Sequence, residues 1–261
     1  MNDLQYFVIK SGGLIACLMM AVVWFIGFKR RNAGWVDFGW VLGLVILAVY
    51  YALAADGYGP RRFVIAFLVG LWGMRLGGML LKRLLTEEED KRYQKFRQAF
   101  KSREDLKFFF FFEFQAILDV VLSIPFFLIC FNSKGWSAVE WVGIFIWAIG
   151  FMGESAADQQ LKNFKADPRK KGNVCEAGLW YYSRHPNYFF EWVMWVGYFV
   201  MALSTPWGWI AIIAPLLMLH FLLNVSGVPL AEEQSLRSRG ERFKEYQRTT
   251  SVFIPLSKRK I

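Results

Sequence analysis

Seven apolar runs divide this chain, at residues 7–28, 35–55, 60–82, 108–131, 137–157, 187–204 and 207–225. A membrane-spanning helix needs about 20 mostly apolar residues, and each run is close to that length. The expected fold is therefore all-α: a polytopic membrane protein, a bundle of seven transmembrane helices forming a single domain over residues 1–261. The composition agrees, with 56% hydrophobic residues, 26 Phe and 12 Trp. Residues 204–206 leave only a short turn between the last two runs, which predicts a tight antiparallel hairpin there.

Charge sets the orientation. Lys29-Arg30-Arg31, the 82–107 loop, the 158–177 loop and the C-terminal tail are rich in Lys and Arg, whereas residues 56–59, 132–136 and 204–206 carry almost none. Seven spans place the first group on one side and the second on the other. The basic side is expected to be cytoplasmic, with the N-terminus outside and a cytoplasmic tail. This placement accounts for the net charge of +10 without nucleic acid as a partner. The basic cluster directly after the first run reads as the stop of a retained helix, not the flank of a cleaved signal. The acidic cluster Glu87 to Asp90 reads as a solvated helical face. The tail after Pro229, with Leu236, Phe243 and Val252 among charges, predicts an amphipathic helix on the membrane surface.

Polar groups inside apolar runs are costly and mark bundle interiors or watery cavities. Asp37, Arg75, Glu113, Gln115, Asp119 and Glu191 are such groups, and pairing between helices is the plain explanation for any one of them. Two distant histidines, His185 and His220, and three scattered cysteines offer no metal-ligand spacing. No glycine-rich phosphate loop is present.

The densest polar stretch is 178–191, Gly-Leu-Trp-Tyr-Tyr-Ser-Arg-His-Pro-Asn-Tyr-Phe-Phe-Glu, at the mouth of an apolar run. It reads as the wall of a site for a large charged cofactor at the membrane boundary. Phosphates need cations, supplied by Lys162, Lys165, Arg169, Lys170, Lys171 and Arg184. A flat ring needs surfaces and amide-type partners, offered by Trp180, Tyr181, Tyr182, Asn187 and Glu191. The tail adds Glu232, Glu233, Arg237 and Tyr246.

Ser183-Arg184-His185-Pro186-Asn187-Tyr188-Phe189-Phe190-Glu191, followed by Glu232-Glu233-x-x-Leu236, Arg239-Gly240, Tyr246 and Phe253-Ile254-Pro255, resembles the steroid 5-alpha-reductase family (its C-terminal domain, in the bacterial DUF1295-like branch). Trp35-Val36-Asp37 and the Leu71 to Leu76 pattern also fit that branch. The resemblance is densest over about residues 140–257. It implies a membrane enzyme that reduces a carbon–carbon double bond conjugated to a ketone, with NADPH as cofactor. It assigns Asp158, Lys162, Lys165, Tyr182, Asn187 and Glu191 to the cofactor, with Glu233 and Arg237 near its C-terminal contacts; His185, within the same motif, is counted with the cofactor-binding residues. Residues 137–261 would mainly hold cofactor, and residues 1–131 would mainly face the substrate, an apolar molecule entering among membrane lipids. The family pairs an acidic motif on an early helix with a tyrosine on a later one to polarise the ketone. Here Asp37 stands at the early position, as a protonated donor, and Arg75-Leu76 occupies the place expected for the tyrosine. The Arg-His-Pro and Glu-Glu-x-x-Leu elements also resemble isoprenylcysteine and lipid methyltransferases, which use S-adenosylmethionine. That reading and a non-catalytic lipid-binding protein remain the alternatives.

Overall fold

Backbone amides find no water in hydrocarbon, so long apolar runs coil into helices that satisfy their own N–H and C=O groups. The computed structural model describes residues 2–259, which form helices and connecting turns with no strand. The α-helices are α1 (Asp3–Arg30), α2 (Trp35–Ala54), α3 (Gly59–Thr86), α4 (Lys91–Phe100), α5 (Glu104–Leu122), α6 (Ile124–Cys130), α7 (Ala138–Ala166), α8 (Pro186–Ala202), α9 (Ile213–His220), α10 (Val228–Arg239) and α11 (Glu241–Thr249). α1, α2, α3, α7 and the stretch Gly208–Arg239 are long and apolar enough to cross a membrane, and α5 with α6 makes a sixth such segment. The chain is an integral membrane protein.

Several boundaries differ from the sequence expectation for identifiable reasons. The run 108–131 is not one straight helix but α5 and α6, bent by 41°. Pro125 lacks the N–H that would continue the ladder, and its ring crowds the preceding turn. α8 has 17 residues, about 25 Å of rise, a little less than the hydrocarbon core of ~30 Å. α7 runs on past residue 157 to Ala166, so Asp158, Lys162 and Lys165 stand on helix, not in a loop. The tail is two helices broken at Gly240, whose φ of +54° suits glycine, followed by an extended segment.

The chain forms two compact units, residues 2–136 with 204–210, and residues 137–203 with 211–259. The first has a core of large apolar side chains, including Met20, Leu44, Leu47, Tyr51, Ile65, Phe112 and Phe126. In the second, α7 and α8 approach backbone to backbone. A Cβ on Gly197 would lie 2.8 Å from Gly143 O and Trp147 N, and one on Gly143 would lie 2.7 Å from Met201 N. α8 also reaches α9, where Trp192 Nε1 donates to Pro215 O at 3.1 Å. The closest pairing of α8 is nevertheless with α7, not with the following run as the short turn implied.

Gly197→Ala is expected to destabilise the detergent-purified protein by about 1–3 kcal/mol, because backbone cannot yield to the added methyl. Gly70→Ala, where nothing lies within 4 Å, is expected to stabilise by about 0.5–1 kcal/mol through helix propensity. Thermal unfolding followed by circular dichroism checks both signs.

Candidate cofactor-binding site

The buried stripe of α7 reads Gly143, Trp147, Gly150, Glu154 and Ala157, a helical repeat that points one face at α8. Small residues on that stripe let α8 come close, and the two polar ends of the pair then meet. Asn187, in the first turn of α8, donates from Nδ2 to Asp158 Oδ1 at 3.3 Å. One turn on, Glu191 is 6% exposed and accepts from Trp195 Nε1 at 2.8 Å. Asn187 Oδ1 is buried with no hydrogen-bond partner. Of the expected site residues, the structure thus brings Asp158, Asn187 and Glu191 together. Lys162 and Lys165 are exposed on the last turns of α7.

The first half of the 178–191 motif does something else. Arg184 Nε donates to Glu232 Oε1 at 2.7 Å, and its Nη1 donates to Thr250 O at 2.6 Å and Gln247 O at 3.1 Å. Its backbone N–H reaches Ser251 O at 2.8 Å, and Ser183 Oγ donates to Phe253 O at 2.7 Å. His185 is 5% exposed, faces Glu232 Oε1 at 3.2 Å and stacks on Tyr188. Gln247 Nε2 completes the set on Glu232 Oε2 at 2.6 Å. Tyr246 Oη donates to Ser183 O at 3.1 Å and to Trp180 O. Burial pushes the Tyr246 phenol well above its usual range, so it remains a neutral donor.

Three residues expected to bind the cofactor thus have a structural role: polar atoms of Arg184, His185 and Tyr246 fasten the C-terminal tail onto the motif. Glu233 and Arg237 form an i,i+4 ion pair with each other on α10. Tyr181 and Tyr182 are 43% and 45% exposed, with Lys258 lying 4.7 Å from the Tyr181 ring centre.

Asp37 belongs to the first unit. Its Oδ1 accepts from Tyr93 Oη at 2.6 Å and its Oδ2 from Arg92 Nη2 at 3.0 Å. Both oxygens accept here, one from a phenol and one from a guanidinium. Burial opposes the charge of Arg92, but Asp37, Tyr93 and Asp90 around it together outweigh this and raise the guanidinium pKa. Burial, then the Asp37 charge, push the Tyr93 phenol well up, so Tyr93 is the member that keeps a proton. The acidic cluster was expected to be solvated, but only Glu87 and Glu88 are exposed. Glu89 accepts from Ala33 N and from Arg97, and Asp90 caps α4 and pairs with Arg83 and Arg92.

A family model described as a protein of unknown function, DUF1295, matches residues 23–250. The chain belongs to the DUF1295 family. An uncharacterized protein of Schizosaccharomyces pombe is 24% identical to it over 216 residues, which is 72% of this chain and 63% of the yeast protein. The chain therefore spans less than two thirds of that relative's length. No solved structure matches it.

Sequence reasoning on this DUF1295 protein missed Tyr93 and Arg92. The signal that could have found them was Asp37 itself, a carboxylate at the edge of an apolar run that required a cation and a donor. Gln247 was missed for want of any local pattern.

Arg184→Ala in the DUF1295 protein is expected to release the tail. Removing one partner of a largely buried ion pair typically costs about 3–5 kcal/mol. Limited proteolysis should then cut within residues 241–259 under conditions that leave the wild type intact. An unchanged cleavage pattern would contradict the fastening role.

Proposed function

We propose that this protein is a membrane reductase that uses NADPH to saturate the carbon–carbon double bond of an apolar enone. One observation carries the reading: the buried, unpartnered Asn187 Oδ1 between α7 and α8. A lone amide acceptor fits the N–H of a carboxamide, the group a nicotinamide ring bears. Asp158 holds the Asn187 amide in the orientation that leaves that oxygen available, and Glu191 stands one turn further in. Lys162 and Lys165 supply cations for phosphate, while Arg184 holds the tail through Glu232. Tyr182 and Tyr181 offer exposed rings beside the motif.

NADPH supplies the hydride when bound. The protein's own part is orientation and charge stabilisation. The resemblance expects an acid on an early helix and a tyrosine on a later one, and Asp37 with Tyr93 provides such a pair. In this reading the Tyr93 hydroxyl, which donates to Asp37 in the ligand-free arrangement, turns its one proton to the substrate ketone when the enone binds and stabilises negative charge as it develops on that oxygen, while Arg92 remains paired with Asp37. We read the topology as seven spans, α8 included, with the N-terminus outside, the tail and cofactor residues facing the cytoplasm, and the chain in a bacterial inner membrane. The charge bias of the connecting segments supports this orientation.

A ligand that binds only the folded state raises its apparent stability. NADPH is expected to raise the melting temperature of the purified protein more than NADH, and Asn187→Ala to weaken NADPH binding about tenfold, the worth of one good hydrogen bond. Stabilisation by S-adenosylmethionine alone would overturn the reductase reading in favour of lipid methyl transfer.

A further inference from the structure

α5 carries a buried carboxyl that the reductase reading does not use. Asp119 is fully buried, and neither of its side-chain oxygens has a hydrogen-bond partner. Its setting is specific. Gly43 on α2 faces it, and a Cβ at position 43 would overlap Oδ2. Met19 Cε of α1 would lie 2.9 Å from that same Cβ, so α1, α2 and α5 converge at the carboxyl. The hydroxyl one turn on, Ser123 Oγ, donates to Val120 O at 2.9 Å and pairs with Tyr51 Oη at 3.2 Å. It is engaged elsewhere and gives Asp119 nothing.

A lone carboxylate in an apolar interior is prohibitively costly, so the group is held as the neutral acid. A neutral acid still carries an O–H donor, and a buried donor left unmade is a standing cost that packing alone does not explain. We propose that Asp119 is the recognition group of a ligand site inside the α1–α2–α5 bundle. It donates its carboxyl proton to the acceptor oxygen of an apolar, carbonyl-bearing molecule that arrives from the bilayer. Phe114 and Ile117 on α5, and Leu18 and Val22 on α1, present the exposed apolar faces past which such a molecule travels. Met19 is the wall that moves, being unbranched and free to change rotamer. The site is separate from Tyr93 and Asp37: Gly43 lies six residues beyond Asp37 on α2, about 9 Å further along the axis.

Dicyclohexylcarbodiimide tests this directly, because it is apolar and reacts only with a protonated carboxyl. The acid O–H adds across a C=N bond: the oxygen bonds to the central carbon and the proton goes to nitrogen. Acyl transfer to nitrogen then leaves a stable N-acylurea with no group lost. The full chain in lipid nanodiscs is treated with the reagent and its peptides are weighed. We expect the label on Asp119, none there in Asp119→Asn, and slowing by 2-undecanone about tenfold beyond any slowing by undecane, the worth of one hydrogen bond. An unlabelled Asp119 in the wild type overturns the proposal, as does equal slowing by the ketone and the hydrocarbon. The wild-type result decides even if Asp119→Asn does not fold, and neither result depends on NADPH.

Discussion

The backbone contact of α7 with α8 at Gly143 and Gly197 is the constraint on which the second unit rests. Side chains at either position would push the two helices apart, since each hypothetical Cβ lies within 3 Å of peptide atoms of the facing helix, which cannot swing aside. The register fixed there carries along both helices to their far ends. There it sets Asp158 and Glu154 of α7 on the side that meets Asn187 and Glu191 of α8. Polar groups that would be untenable singly in an apolar helix pair thus form one wall, in which the Asn187 amide oxygen is left to accept.

The connection between these helices adds a second device. Ser183, Arg184 and His185 draw in residues from α10, α11 and the extended tail, so a short peptide motif organises a large part of the unit's polar face. Charge-assisted bonds from a planar guanidinium to a carboxylate and two carbonyls are stronger and more directional than a lysine could make. The first unit shows the same logic on a smaller scale. The short helix α4 is tied by Arg92 and Tyr93 to Asp37, and by Arg97 to Glu89 and Glu104.

The helices were legible because run length in a membrane protein is close to helix length. The bend at Ser123 was legible only in hindsight, since Pro125 sits near the middle of an apolar run that otherwise reads as continuous. The roles of the polar residues were less accessible. Glu232, the partner of Arg184, lies 48 residues away, and Tyr93 lies 56 residues from Asp37. Partner choice over such separations is a tertiary property with no local periodicity to announce it. Spacing alone could place Arg184 on a phosphate as readily as on a tail. Asn187 and Glu191 were visible as a pair because one helical turn separates them, which is a local relation.

The central claim is hydride transfer to an apolar enone, and the direct measurement is NADPH oxidation by the nanodisc-reconstituted protein with an enone supplied in the bilayer. The account predicts enone-dependent loss of NADPH absorbance, a product that has gained two hydrogens, and a loss of this turnover of about 100-fold in Tyr93→Phe. No NADPH consumption with any enone, together with transfer of a methyl group from S-adenosylmethionine to a lipid, would contradict it.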